Sequence, residues 1–505
     1  MKNLIQKYPL ASVLTVALAL RLVAVIFSKG FMASDDHYVT VEIAYRWLNN
    51  GLFGENGFIT WGTEEHHEIS RFPLYNILLF LNMKVMSLLG CETLDEIMYG
   101  VRLAHAFFSL IAVAAVYKIV EIASGSKNWA VAAGMIVAAH FLMPFLSVRN
   151  MIEVVGGTLW VTALLCVYKH RREDRPVWLI WAGILSGLAW MIRFQMVLAF
   201  WILPLVLWYE HRRLIPALQY VFAVAVVILV SGVADWYLMG TFMGTTINYI
   251  GPISPGEAVY PTNVLIYPVL IIAVFIPPAS LVATWLALKK NFWKYHLPLV
   301  LTTLSFILGH YLVANRQERF MIPIFPAVLV IFVLAIHQHC RERGFFTRWR
   351  KTRAVTIGLW LAINTVLLGL FTVNYSHKGL VEPLVRIQQL SDSKPMVLLV
   401  SPDKRRIWPG FYSGAVLMNR RYVMDWNRID AAFRSLGDTV EIDYYLLYPP
   451  DSADLPRYVD SLVARSGPIR QVFHVGPSAV DYVLHMLNPE HNPTNEVWAY
   501  QNAAP

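Results

Sequence analysis

Apolar runs of sixteen to twenty-seven residues recur from Pro9 to Asn374, and nothing else constrains this chain as strongly. A helix needs about 20 such residues to cross the hydrocarbon of a bilayer. Candidate spans are 8–28, 98–123, 129–147, 153–169, 177–192, 194–209, 214–240, 263–288, 295–313, 320–338 and 354–374. Charged residues make up 15% of the chain and mean hydropathy is +0.49, whereas a soluble domain is about 25% charged. The predicted class is therefore a mainly α, polytopic membrane protein with about 11 transmembrane helices. The pair 177–192 and 194–209 is short for two crossings. Helices meeting at Arg193 leave room for a water-accessible cavity.

The net charge of +9 is not a nucleic-acid footprint, and no nucleic-acid partner is expected. Lys and Arg gather in short loops between apolar runs, which is how membrane proteins encode orientation. Run 72–90 decides the count, because it contains Asn76, Asn82 and Lys84. If it is juxtamembrane, Lys2, Lys7, Lys127, the loop 169–175, Arg212-Arg213, Lys289-Lys290-Lys294 and the stretch 341–353 all face the cytoplasm, 18 basic residues together. If it crosses, the later loops invert and the rule fails. The expected arrangement has the N-terminus cytoplasmic and the C-terminus outside. The first run, Leu10 to Phe27, lacks a small-residue cleavage site and reads as an uncleaved helix.

Residues 1–374 are expected to form the transmembrane domain, with a first outer loop at 29–71. Residues 375–505 alternate strand-like runs (396–400, 443–448, 471–475) with helical ones (453–463, 479–487) and read as a small extracytoplasmic α/β domain. Cys91, Cys166 and Cys340 have neither disulfide nor metal-ligand spacing.

With this topology the anomalous polar residues collect on one side. The outer loop opens with Ser34-Asp35-Asp36-His37-Tyr38, followed by an amphipathic pattern suited to an interfacial helix. Arg149, Asn150 and Glu153 fall at the next outer turn, Arg193 and Gln195 at the one after, and Arg316, Glu318 and Arg319 at the last. Outward arginines need a compensating anion, and guanidinium binds phosphate bidentately. A carboxylate beside such a site can act as a base, and ionisable groups at the membrane edge are functional candidates. Each has a structural alternative. Asp35-Asp36 can cap the helix that follows, Arg149 and Glu153 can form an i,i+4 pair, and Arg316, Glu318 and Arg319 can hold two helices together. His310 in a late span reads as a satisfied internal histidine. Glu64-Glu65-His66-His67-Glu68 looks like a metal site, but adjacent loop histidines are usually solvated.

This layout resembles the membrane glycosyltransferases of the GT-C fold that use polyprenyl-phosphate sugars. Ser34-Asp35-Asp36-His37-Tyr38 is similar to their first-loop acidic pair, most of all to the His-Pro-Asp-Glu signature of the family 22 mannosyltransferases, with Ala33-Ser34 in place of His-Pro. Asn315-Arg316-Gln317-Glu318-Arg319-Phe320 is similar to that family's His-Lys-Glu-x-Arg-Phe motif, and Gly187–Gln195 to its G-L-A-x-x-x-R-x-Q stretch. The resemblance covers about residues 1–340. It implies an inverting transfer from a polyprenyl-phosphate sugar, on undecaprenyl phosphate in a bacterial inner membrane, to a lipid-linked or glycan acceptor. Asp35 would be general base with Asp36 beside it, and Arg193, Arg316 and Arg319 would hold the donor phosphate. Glu318, Gln195, Arg149, Glu153 and His37 would support them. No cofactor is implied, although Asp35, Asp36 and Glu153 could serve a divalent-metal variant.

The residues alone also allow a polyprenyl-lipid flippase, a polymer ligase or a transporter. A carrier would usually show paired halves with Gly/Pro-interrupted helices at matching positions, and this chain shows no such symmetry.

Overall fold

The computed structural model describes residues 7–33, 37–54, 57–58, 72–250, 265–312, 316–342, 350–390, 397–401, 421–425, 442–449, 451–489 and 492–503. The chain forms two compact units. One holds residues 1–24, 53–75 and 103–372, and the other 25–52, 76–102 and 373–505.

Among the described residues, seven helical segments are long and apolar enough to cross a membrane: Pro9–Phe27, Leu94–Ser124, Ile152–Glu173, Phe194–His211, Ile215–Met239, Glu318–Arg341 and Arg350–Val373. Leu74–Leu88, Pro176–Ile192 and Leu297–Tyr311 are shorter apolar helices. Run 72–90 is thus helical over 15 residues.

Three expected spans are interrupted, two of them for identifiable reasons. Run 263–288 forms Ile266–Val274 and Ala279–Ala287. Pro277 and Pro278 between them carry no N–H and cannot continue a helix. Run 129–147 forms Lys127–Ala139 and Leu142–Ser147. The groups freed at that break are taken up by one side chain. Asn364 Oδ1 accepts from the Phe141 N–H at 3.0 Å, and Asn364 Nδ2 donates to the Ala139 carbonyl at 2.8 Å. An apolar surrounding requires such substitution, because a freed backbone group has no water to turn to. In segment 194–211 the helix is interrupted around Trp201, and Ser305 Oγ donates to the Leu198 carbonyl at 2.6 Å. Elsewhere in this unit Tyr220 ties Ile215–Met239 to Pro176–Ile192 by donating to Ser186 Oγ at 2.9 Å.

The second unit contains a five-stranded mixed sheet. Its order is Arg421–Asp425, Val397–Ser401, Tyr444–Leu447, Val497–Asn502, Ile469–Val475. The first two pairings are parallel and the last two antiparallel. Helix Leu455–Ser466 carries Leu455, Tyr458, Val459 and Leu462 at i, i+3, i+4, i+7, and this stripe packs on Val400, Tyr445, Leu447 and Tyr500.

The same unit fastens the start of the first loop to the segment after the last long helix. Gly30 forms a parallel bridge with Ser376. A Cβ at Gly30 would lie 1.8 Å from the Ser376 carbonyl oxygen, so only glycine permits this approach. Ser376 Oγ donates to the Phe31 carbonyl at 2.7 Å. The Phe31 ring stacks between His37 and His377, at 5.2 and 4.6 Å between centroids. Asp481, 7% exposed, accepts from the backbone N–H groups of His377, Lys378 and Ser478 at 2.6, 3.1 and 3.0 Å.

Candidate functional site

The polar centre of the first unit is built around Arg193. Helix Pro176–Ile192 ends there, because Arg193 adopts an extended backbone (φ −145°, ψ 107°) before the chain turns into Phe194–Met196. The side chain, 4% exposed, donates from Nη1 to Glu153 Oε1 at 2.6 Å. Glu153 is fully buried in the first turn of Ile152–Glu173, where the partial positive charge of the helix N-terminus favours a carboxylate. Among the described residues Arg193 Nε and Nη2 have no hydrogen-bond partner. One half of the guanidinium is therefore anchored, and the other half has no acceptor among the described residues.

The segment Glu318–Ile324 closes on the same place. It lies tight against Ile152–Glu173, since a Cβ at Gly157 would come within 2.4 Å of the Pro323 carbonyl oxygen. The Phe320 ring lies under two guanidiniums, Arg193 at 5.2 Å and Arg319 at 5.6 Å from its centroid. Arg319 Nε donates to Gln317 Oε1 at 2.7 Å. Arg316 Nη2 donates to the Tyr311 carbonyl at 3.3 Å, and its guanidinium lies over the Tyr311 ring. Gln195 donates to the Tyr249 hydroxyl, and Tyr249 packs on Phe194. Arg193 and Arg319 thus lie over Phe320 and Arg316 over Tyr311, and Glu318 opens the segment that carries Phe320.

Two neighbours of these rings were not anticipated. His310 packs on Phe320 at 5.7 Å and on Tyr267 at 6.4 Å, and Tyr267 on Tyr311 at 5.2 Å. His310 Nδ1 donates to the Phe306 carbonyl at 2.9 Å. His310 Nε2 and the Tyr267 hydroxyl, both buried, have no partner among the described residues. The reading of His310 as fully satisfied is corrected accordingly. A buried polar group without a partner destabilises by about 1–3 kcal/mol, so two of them beside a half-anchored arginine mark a place shaped by something other than packing. A tyrosine in an apolar run and a histidine 43 positions later give no local signal of meeting.

The partner of Glu153 is also corrected. The i,i+4 spacing pointed to Arg149, but Glu153 is held by Arg193. Arg149 instead donates from Nη1 to the Phe145 carbonyl at 2.6 Å and lies over the Phe145 ring at 3.3 Å. Its neighbour Asn150 belongs to a buried relay. The Tyr75 hydroxyl donates to Asn150 Oδ1 at 2.6 Å, so His105 Nε2, 2.7 Å from the same hydroxyl, must carry the proton it shares.

Asp35 and Asp36 lie outside the described residues, as do Glu64-Glu65-His66-His67-Glu68. What flanks the acid pair is described, within the second unit. Ala33 is buried, and the His37 N–H donates to the Ala33 carbonyl at 3.0 Å. His37 is 1% exposed, and burial lowers its pKa to about 3. It is therefore a neutral ring stacked on Phe31.

Comparison with known proteins bears on the fold. Crystal structures of ArnT from Cupriavidus metallidurans superpose over nearly the whole of both chains. The apo form gives a TM-score of 0.61 at 14% identity, covering 98% of each chain. The form bound to undecaprenyl phosphate gives 0.59 at 13%, covering 97% of each. The chain has the GT-C fold. The apo oligosaccharyltransferase of Archaeoglobus fulgidus matches with a TM-score of 0.51 at 12% identity, over 90% of this chain and 71% of that one. The profile of the dolichyl-phosphate-mannose-protein mannosyltransferases matches residues 87–236. That segment contains Arg149, Glu153, Arg193 and Gln195. The chain matches no curated protein sequence. The GT-C expectation holds, while the finer likeness to family 22 gains no support from these matches.

Proposed function

We propose that this GT-C chain is a membrane glycosyltransferase that moves a sugar from a polyprenyl-phosphate donor to a lipid-linked or glycan acceptor on the outer face of the membrane, with inversion at the anomeric carbon. The observation that carries the reading is the half-anchored guanidinium of Arg193. Glu153 fixes its direction, and its remaining N–H donors, together with Arg316 and Arg319, suit the oxygens of a phosphate. The undecaprenyl phosphate bound to ArnT and the mannosyltransferase profile support the same donor class.

Three arginines supply positive charge where the leaving phosphate develops its own, which is the expected means of stabilising such a departure. Asp35 takes the proton of the attacking acceptor hydroxyl, with Asp36 beside it, and His37, Gln195, Glu318 and Arg149 support these groups. These roles rest on the sequence likeness and on the arrangement around Arg193. The guanidiniums replace a divalent metal, and no cofactor is required. The matched profile supports a mannosyl donor.

The test is transfer in vitro from a panel of polyprenyl-phosphate sugars, with mass detection of the product. A glycosylated acceptor from one donor, lost in Asp35→Asn with the variant still folded, is the expected result. Binding of every donor without transfer, or translocation of the intact lipid, would favour the flippase reading instead.

A further inference from the structure

A second polar centre lies inside the first unit. Arg21 sits in the apolar helix Pro9–Phe27 and is 1% exposed, although a long basic side chain in such a helix can usually reach water. Nε donates to Ser109 Oγ at 2.7 Å. Nη1 donates to the Ala17 and Ala138 carbonyls at 3.2 and 3.4 Å. The described hydrogen bonds stop there and leave Nη2. All of these acceptors are neutral.

Arg21 lines a cavity of about 30 Å³, together with Ser109, Ser147, Gly157, Thr158 and Ile322. No Asp or Glu contributes to its wall. The carboxylate on the neighbouring turn, Glu153, is engaged by Arg193. Thr158 and Ser109 spend their hydroxyl hydrogens on the Val154 and Ala106 carbonyls. Ser147, 4% exposed, makes no described side-chain hydrogen bond, so its hydroxyl remains as a donor.

A buried guanidinium without an opposite charge is strongly unfavourable, more so in a membrane protein. Neutral oxygens offset part of that, and water adds no charge. The space holds about two waters at roughly 10–15 Å³ each, which also fits one monatomic anion and excludes a phosphate. We propose that the cavity binds one halide-sized monovalent anion, held by Arg21 Nη2 and Ser147 Oγ, as a structural counter-ion of the helical bundle. This is independent of the proposed transfer, because neither residue belongs to the Arg193 site.

Two measurements test it on the full chain. Thermal unfolding at constant ionic strength, with chloride or bromide exchanged for gluconate, should show a saturable rise in Tm with halide. Arg21→Met should abolish that dependence, and Ser147→Ala should move its midpoint to about tenfold higher halide. Crystals grown in bromide should give an anomalous peak in the cavity beside Arg21. That wild-type peak decides the matter if Arg21→Met does not fold. Bromide peaks elsewhere and none in the cavity would mean an adventitious ion only, and would overturn the proposal. So would equal melting in gluconate and bromide.

Discussion

Arg193 and Glu153 meet at 2.6 Å with both side chains out of water, joining the break after Pro176–Ile192 to the first turn of Ile152–Glu173. Breaking a buried pair by removing one partner costs about 3–5 kcal/mol, because the other charge is left alone. Replacing both partners with neutral groups is much milder. Glu153→Gln and Arg193→Gln should therefore each lower Tm strongly. The double variant should recover most of that loss. Donor affinity should follow a different pattern, absent in both variants that lack Arg193 and not restored in the double one. Calorimetry and donor titration on the four proteins read the two effects separately. Recovery of donor binding in the double variant would mean that Arg193 only holds the helices.

The Tyr267 hydroxyl is buried without a described partner. Removing it should leave the fold as stable as before or more so, since an unsatisfied group disappears. If the hydroxyl is used only when the donor is bound, Tyr267→Phe should lower kcat/KM about ten- to a hundredfold, on the order of one lost hydrogen bond to a charged group. Unchanged Tm with unchanged turnover would assign Tyr267 to packing alone.

Much of this site could be read from the chain. The arginine interrupting a thirty-odd-residue apolar run does mark a helix break, and the Arg316–Phe320 motif does come to it. Periodicity could not show which carboxylate Arg193 would meet, because the i,i+4 rule sees only the same helix and pointed to Arg149. Run 263–288 read as one span because hydropathy averages over Pro277 and Pro278. In the C-terminal region, strands 397–401, 444–447 and 469–475 were visible as short apolar runs. Arg421–Asp425 was hidden by its charged ends, and Val497–Asn502 by its polar tail. The tie between Phe31 and His377 spans 346 positions and leaves no local trace.

Asp481 is a sequence-distant support of the first loop. Its carboxylate accepts from His377, Lys378 and Ser478, while Ser478 Oγ accepts from the Asp481 N–H at 3.0 Å and donates to the Tyr375 carbonyl at 2.6 Å. Asp481→Ala should loosen segment 375–378, and with it residues 29–31, which bond to Ser376 and His377. Hydrogen exchange should accelerate at Ser376 and His377. Turnover should fall with little change in donor affinity. Acceleration confined to residues 478–481 would show that the carboxylate serves only its own helix cap.

His37 gives the loop a defined response to acid. Its pKa is lowered by burial from 6.5 to about 3, so the folded protein keeps the ring neutral while the unfolded chain protonates it. Stability from this group is complete above pH 6.5. It should fall as pH drops below that value, by about 1.4 kcal/mol per unit for one proton taken up on unfolding, until the folded form protonates near pH 3. Other buried groups add their own slopes, so the comparison must be with a variant. His37→Phe keeps an aromatic ring against Phe31 and removes the titration. Its stability should decline between pH 6.5 and 4 less steeply than that of the wild type, by one proton. Identical slopes would mean that His37 is protonated, and therefore not buried, in the folded protein.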